Sequence, residues 1–599
     1  MKMLHAAKWR NAVVVSVLVA VPCLVTSGCA AGNMPAGTPV IGALKPLPAP
    51  AWAAKQRELL EVNSQIAAEW DRVYLLPNGY AHVKFLHGGG VQAPDDFFEA
   101  IYKFPLLYAL GAEEPAWSTF WKAWKGSLSQ DTDLGLFKNE MVKYLDWHHN
   151  GEHYEPFWLA ALCAPDDPEY RRLALKYASF YDGTNPDVPN YDPDKKIIRS
   201  MNSGGAGPMM KPKTTDWDSR GGKFWEAWLN CAHDGPVNLV TTCFGTNAFM
   251  LTGDEKYRRR TMEYIDAWRD RSKANNGIIP SIVNLDGKVP AEWWGGVMGW
   301  EFRSFGGLFQ VNEGPTAAWG NALLLTGDKS YYDEMRKLAD VLWKNRTTDA
   351  KGGVTVPRHY GKDGWRGSLH RAGGIYAAML ANLYLATMSK ADLDRVLERK
   401  AIQGMAGHAG WHEGGYEPQW IQFLIGQNPQ WPQQSLDRCI MGAKGQLAAL
   451  KKMEDAGKTP PYNDSRQVGW AGPLVNQMTG GIMPLWHGQL HLARFRYFDP
   501  ERKRPGIPPH CAALVESMTD DAATLVLVNT GKTDARTVLV QTGAYAEHQC
   551  LTVTPEGGKA VAVNGTLFAV KLAPGTGQRL RVTMKRHANT PTLRLPWDR

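Results

Sequence analysis

The chain has 599 residues, 44% of them hydrophobic and 21% charged, the make-up of a globular protein of two or three domains. Its formal net charge of +8 comes with no basic run and no basic patch interleaved with aromatics, which argues against nucleic acid as a partner. The departure from average is aromatic: 24 Trp, 21 Tyr and 18 Phe, and Trp both fills cores and stacks on the C–H faces of sugars.

Residues 1–29 read as a signal peptide. Lys8 and Arg10 precede an apolar stretch, residues 11–25, that is short for a membrane span. Val25-Thr26-Ser27-Gly28-Cys29 then resembles a bacterial lipobox, with Thr26 where Leu is usual. Cys29 is the expected lipidation site. It implies export across the inner membrane and an anchor at the cell envelope, in the outer membrane or periplasm. Residues 30–54, rich in Ala, Gly and Pro, read as a tether. No C-x-x-C occurs among the eight Cys, so zinc-ribbon and thioredoxin-like chemistry lack their spacing. Pairing of Cys231 with Cys243 stays open.

Residues 55–504 repeat one pattern: a small, apolar helix, a short turn, then a charged amphipathic helix. Six such hairpins fall at 97–124, 157–181, 237–268, 312–343, 373–397 and 420–453. Two copies nearly coincide: Thr246-Asn247-Ala248-Phe249-Met250-Leu251-Thr252-Gly253-Asp254 and Gly320-Asn321-Ala322-Leu323-Leu324-Leu325-Thr326-Gly327-Asp328. A lone hairpin cannot bury its apolar face, so repeated hairpins stack. Asp254 and Asp328 stand where helix N-caps belong. Residues 505–599 change character. Alternating stretches such as Thr524-Leu525-Val526-Leu527-Val528, separated by turn residues, predict an antiparallel β-sandwich of about seven strands. The expected fold is mainly α, an (α/α)6 toroid followed by that sandwich.

The loops leading into the apolar helices collect the unusual residues. Before the second hairpin stand His148, His149, Asn150, Glu152, His153 and Tyr154. Before the third stand Arg220, His233 and Asp234, with Asn238 just inside the helix. Before the fourth stand Trp293, Trp294, Glu301, Arg303 and Glu313. His groups carry protons near neutral pH. His149 and His153 would share a helix face, but H-x-x-x-H is not the H-E-x-x-H of zinc proteases, and no metal site is assigned. No cofactor is expected, with a structural calcium left open.

This succession of hairpins and sandwich resembles the α/α-toroid polysaccharide lyases and the related toroid glycoside hydrolases over residues 55–590. Segments such as Thr252-Gly253-Asp254-Glu255-Lys256-Tyr257 and Trp293-Trp294-Gly295-Gly296 are also similar to a group of secreted bacterial proteins. The resemblance implies a carbohydrate-active enzyme with a polysaccharide or oligosaccharide substrate. A uronate lyase removes the C5 proton and expels the O4 substituent, with the carboxylate neutralised by nearby donors. By chemistry, His153 and Tyr154 serve as base and acid, supported by His149 and His233. Asn150, Arg220, Asn238 and Arg303 hold the uronate, and Trp293 and Trp294 form a sugar platform. The alternative is a hydrolase with paired carboxylates drawn from Glu152, Asp234, Glu301 and Glu313. A glycan-binding lipoprotein without catalysis is the third reading.

Overall fold

The computed structural model describes residues 34–43, 48–81, 93–134, 137–142, 147–186, 191–198, 233–280, 283–289, 308–357, 359–361, 364–366, 369–370, 374–400, 418–453, 455, 468–485 and 488–599. Helices dominate up to residue 480, and a β-rich region follows. The helices are α1 (Ala51–Tyr74), α2 (Ala93–Ile101), α3 (Phe104–Leu110), α4 (Pro115–Asp133), α5 (Trp147–Ala160), α6 (Pro168–Ser179), α7 (Thr242–Thr252) and α8 (Glu255–Ala274). They continue as α9 (Leu308–Thr326), α10 (Asp333–Lys344), α11 (Gly374–Thr387), α12 (Lys390–Glu398), α13 (Pro418–Leu424) and α14 (Trp431–Lys451).

The two matching repeats fold into the same hydrogen-bonded turn. Gly253 (φ 72°) and Gly327 (φ 73°) adopt the left-handed conformation that ends a helix, which only glycine takes without strain. Their amides donate to Phe249 O and Leu323 O at 2.7 and 2.8 Å. Asp254 and Asp328 then accept from Lys256 N and Ser330 N at 2.9 and 2.8 Å, starting the next helical segment. The repeated Asn reaches back one hairpin in each case. Asn247 Nδ2 donates to Tyr170 OH on α6 at 2.8 Å, and Asn321 Nδ2 to Thr242 Oγ1 on α7 at 2.9 Å. One sequence element thus makes both the turn and the bond that stacks neighbours.

Packing follows chain order: α2 and α3 lie against α5, α6 against α7, α7 against α9, and α9 against α11, while α1 packs on α4 and α14. Residues 468–485 and 488–492 run back across these helices. Val468 N donates to Ala100 O at 2.8 Å, and Asn63 exchanges bonds with the backbone of Trp470 at 2.8 and 2.9 Å. Farther on, Gly488 presses on Trp158 and Leu492 on Gly320.

The β region forms two five-stranded sheets. Its strands are β1 (Val40–Ala43), β2 (Phe495–Asp499), β3 (Arg504–Pro505), β4 (Cys511–Met518), β5 (Ala522–Asn529), β6 (Arg536–Thr542), β7 (Gln549–Pro555), β8 (Val561–Gly565), β9 (Leu567–Leu572) and β10 (Gly577–Lys585). The sheet orders are β1-β9-β6-β2-β3 and β4-β5-β10-β7-β8. Two features depart from the sequence expectation. The region starts at Phe495, ahead of 505. And β1, inside the stretch read as a tether, pairs in parallel with β9 through Val40–Ala569 to Ala43–Leu572. Helix α1 also begins within that stretch, at Ala51. Composition misled there, because a short edge strand needs few apolar residues.

Alternation along the strands sorts side chains to two faces. Ala513, Val515, Leu525 and Leu527 join the main core. Their neighbours Ala512, Leu514, Val526 and Val528 pack on Ala53, Trp52 and Phe423 of α1 and α13. At the edge strand β4, the Gln56 side chain imitates a neighbouring strand. Its Nε2 donates to Ala513 O at 2.8 Å, and its Oε1 accepts from Ala513 N at 3.1 Å.

Candidate active site

Helix α5 starts at Trp147, so His149, Asn150, Glu152, His153 and Tyr154 stand in a helix and not in a loop before one. Pro156, which looks like a helix start, lies inside it. The His153 ring is fully buried among aromatics: Phe98 at 4.7 Å, Tyr154 at 4.8 Å, Trp124 at 5.1 Å and Phe137 at 5.2 Å between centroids. Tyr154 packs on Tyr177 at 5.0 Å and Phe244 at 5.2 Å. Both rings therefore act as core between α2, α4, α6 and α7.

Asp234 and Asn238 are brought together, but they are occupied with each other. The Asp234 carboxylate accepts from Asn238 Nδ2 (2.7 Å), Tyr264 OH (3.0 Å), Trp268 Nε1 (3.1 Å) and Ile198 N (3.1 Å). Asn238 Nδ2 also donates to Ile198 O at 3.0 Å. Burial pushes Asp234 up to about 6 against the pull of these donors. The pair ties the hairpin Tyr191–Asp192/Ile197–Ile198 to α8, so the structure gives Asn238 and Asp234 a fold-holding task in place of the sugar-binding and catalytic ones. The His233 backbone pairs with Asn284. Glu313 lies buried inside α9, beside Gly314, where a Cβ would collide with Pro236 O at 1.9 Å. The side chains of His149, Asn150, Glu152 and His233, and all of Cys29, Arg220, Trp293, Trp294, Glu301 and Arg303, lie outside the described residues.

Sequence reasoning passed over Glu155. It follows His153 by two positions, about 200° around an α-helix, so it points away from the aromatic cluster. Glu155 is fully buried, and neither carboxyl oxygen has a hydrogen-bond partner among the described residues. Burial pushes its pKa well above the usual carboxylate value; the Lys103 ammonium opposes this and Glu99 adds to it. Glu99 on α2 and Lys103, just before α3, are themselves buried, and Lys103 Nζ donates to Gly469 O at 3.2 Å. From α7, the Cys243 thiol is near enough to feel Glu155, and Asn321 Nδ2 lies 3.5 Å from its sulfur. Four packed segments thus surround one carboxyl whose charged form burial disfavours. The signal was present in the sequence: Glu99 follows Phe97-Phe98, and Glu155 precedes Phe157-Trp158-Leu159. An acid beside a run of large apolar side chains needs a reason. The nearby His cluster hid it.

Such a group has chemical use. A carboxyl kept neutral at physiological pH can donate a proton to a leaving oxygen, and a second carboxyl beside it can take one. Among the described residues no three His, Cys, Asp or Glu side chains converge to hold a metal ion, and Cys163, Cys243, Cys439, Cys511 and Cys550 are buried free thiols. No described helix is long and apolar enough to cross a membrane.

Residues 40–231 and 229–476 match the family described as "Domain of unknown function (DUF8034)". No curated protein matches the chain. Among solved structures, a cellobiose 2-epimerase from Bacillus thermoamylovorans is similar with a TM-score of 0.37 and 12% identity, over 59% of this chain and 86% of that one. A beta-1,3-1,4-glucanase from Paenibacillus sp. X4 is similar with a TM-score of 0.33 and 12% identity, over 62% and 92%. At that level neither likeness fixes an activity.

Proposed function

Because the chain belongs to the DUF8034 family, its activity is read from its own residues, and we propose that it is a carbohydrate-active enzyme with Glu155 as its proton donor. The hairpins would form an (α/α)6 toroid with the acid at its centre, backed by a β-sandwich. The observation that carries the reading is the buried, raised carboxyl of Glu155 beside Glu99 and Lys103. The wealth of Trp and the loops that set Trp293 and Trp294 among glycines support a sugar polymer as substrate.

Two carboxyls favour glycoside hydrolysis, with Glu155 protonating the glycosidic oxygen and Glu99 as the second group. β-Elimination on a uronate polymer is the second reading. The same acid would protonate the departing O4, while His149, Asn150, Arg220 and Arg303 supply base and carboxylate donors. It is favoured by the density of His and Asn in the first turns of α5 and by Arg220 and Arg303 in the stretches before α7 and α9. Export and lipid anchoring through Cys29 belong to the same proposal, and Cys29→Ser is expected to release the protein from membranes.

The test is to incubate the protein, truncated after Cys29, with neutral and uronate-containing polysaccharides. Ultraviolet absorbance reports a C4–C5 double bond, and reducing-end release without it reports hydrolysis. Neither signal across the panel would overturn the enzymatic reading and favour a glycan binder.

A further inference from the structure

A cavity lies where the helices meet the sheets, and none of its lining residues is among those described around Glu155. It is walled by α9 and α11, by residues 480–494, and by the segments before β7 and after β10. Its charged and imidazole lining is Arg494, Arg586, Glu547, His548 and His587, beside the amides of Asn382 and Gln489.

Arg494 is the anomaly. Its stem is wedged against Gly480, where a Cβ would sit 3.1 Å from its Cγ. Its side chain is buried, yet Nε and Nη2 find no hydrogen-bond partner among the described residues. Those two atoms form one edge of the guanidinium, the edge that grips an oxyanion through two parallel bonds. Arg586 is partly satisfied, donating to Ala386 O at 2.5 Å and to Asp520 Oδ1 at 3.0 Å, but its Nε is also unpartnered. Both ring nitrogens of His587 lack partners as well, and the His587 ring meets His548 edge-on at 4.8 Å. An unpartnered charge in a dry setting is costly unless a counter-charge reaches it.

The acids nearby do not cancel this charge. Asp520 is shared between Arg586 and Lys329. Glu547 accepts from Tyr545 N at 2.8 Å, and burial pushes it up to about 7, leaving it partly neutral. Burial also holds the Arg494 guanidinium well below its ordinary value, with Arg586 adding to the effect.

We propose that this cavity is a binding site for a small oxyanion, gripped by the Nε/Nη2 edge of Arg494 with Arg586 and His587 completing the donor set. Such an ion would bridge the two sheets, because Arg494 precedes β2 of one while Arg586 and His587 follow β10 of the other. The ligand chemistry has two sources, a free inorganic oxyanion or the carboxylate of an acidic sugar.

The test is calorimetric titration of the full chain with inorganic phosphate and, separately, with glucuronate, at fixed ionic strength. Saturable binding at one site per chain is expected with one of them. Phosphate alone points to the inorganic source, and glucuronate alone to the sugar. Arg494→Met should weaken that binding about tenfold or more. Glu547→Gln, which keeps an acceptor for Tyr545 N but removes a competing negative charge, should tighten it and keeps the test decisive if Arg494→Met misfolds. Absence of saturable binding to either anion overturns the proposal, as does unchanged affinity in Glu547→Gln or in folded Arg494→Met.

Discussion

Replacing Glu155 by Gln separates a catalytic task from a structural one. The carboxyl has no described hydrogen-bond partner, so the amide forfeits none, and the burial penalty on the charged form disappears. Melting temperature should hold or rise while turnover drops about 10²- to 10⁴-fold. A retained rate would remove Glu155 from the chemistry. Asp234→Asn should do the reverse. It replaces an acceptor of four donors by a group with one oxygen, leaving buried donors unpaired at about 1–3 kcal/mol each. Chemical denaturation should show that loss directly. At this scale the sequence was half legible. The acids and His stood out by type, but which side of α5 each faced did not. His153 and Glu155 differ by two positions and point to opposite sides, yet both are fully buried, and only packing shows that each side meets core.

At the scale of the element, the repeats were the readable part. Thr-Gly-Asp announced a turn with a left-handed glycine and a capping aspartate, and both copies are built so. Asp254→Ala and Asp328→Ala should each cost about 1 kcal/mol and add in the double variant, since the caps serve different hairpins. Urea melts of the three variants check this. Residues 468–485 and 488–492 were not readable, because they carry no period of their own and gain their shape from the helices they cross. Gly488 shows why: a Cβ there would lie 2.2 Å from Trp158 Cζ2, with φ at 120°. Gly488→Ala should destabilise by about 1–3 kcal/mol through overpacking, with backbone strain added. The β1 strand was missed for the related reason that its partner, β9, lies at the far end of the chain.

For the whole molecule, buried titratable groups set the pH dependence. Burial, the largest cause in each case, pushes Asp131 and Glu547 up to about 7 and Glu155 well above its usual range. As pH rises, the unfolded chain releases these protons first, at about pH 4, so each carboxyl withdraws stability up to its folded value. Burial acts oppositely on histidine, bringing His491 down to about 4 and holding His548 and His587 well below 6.5. These cost stability as pH falls through about 6.5, where the unfolded imidazoles charge. The two sets oppose each other below about pH 6.5, and only the carboxyls act above it. Melting temperature should therefore decline between about pH 6.5 and 8, and Glu547→Gln should flatten part of that decline. Calorimetry across this range is the check.

The parallel pairing of β1 with β9 also sets a leash. Were Cys29 held in a lipid layer, the ten or so residues before Val40 would reach about 35 Å at full stretch, and less in any relaxed state. A pull on the anchor would run along β1 itself, loading its bonds to β9 together and not one after another, so the attachment would resist detachment better than a plain coil of that length.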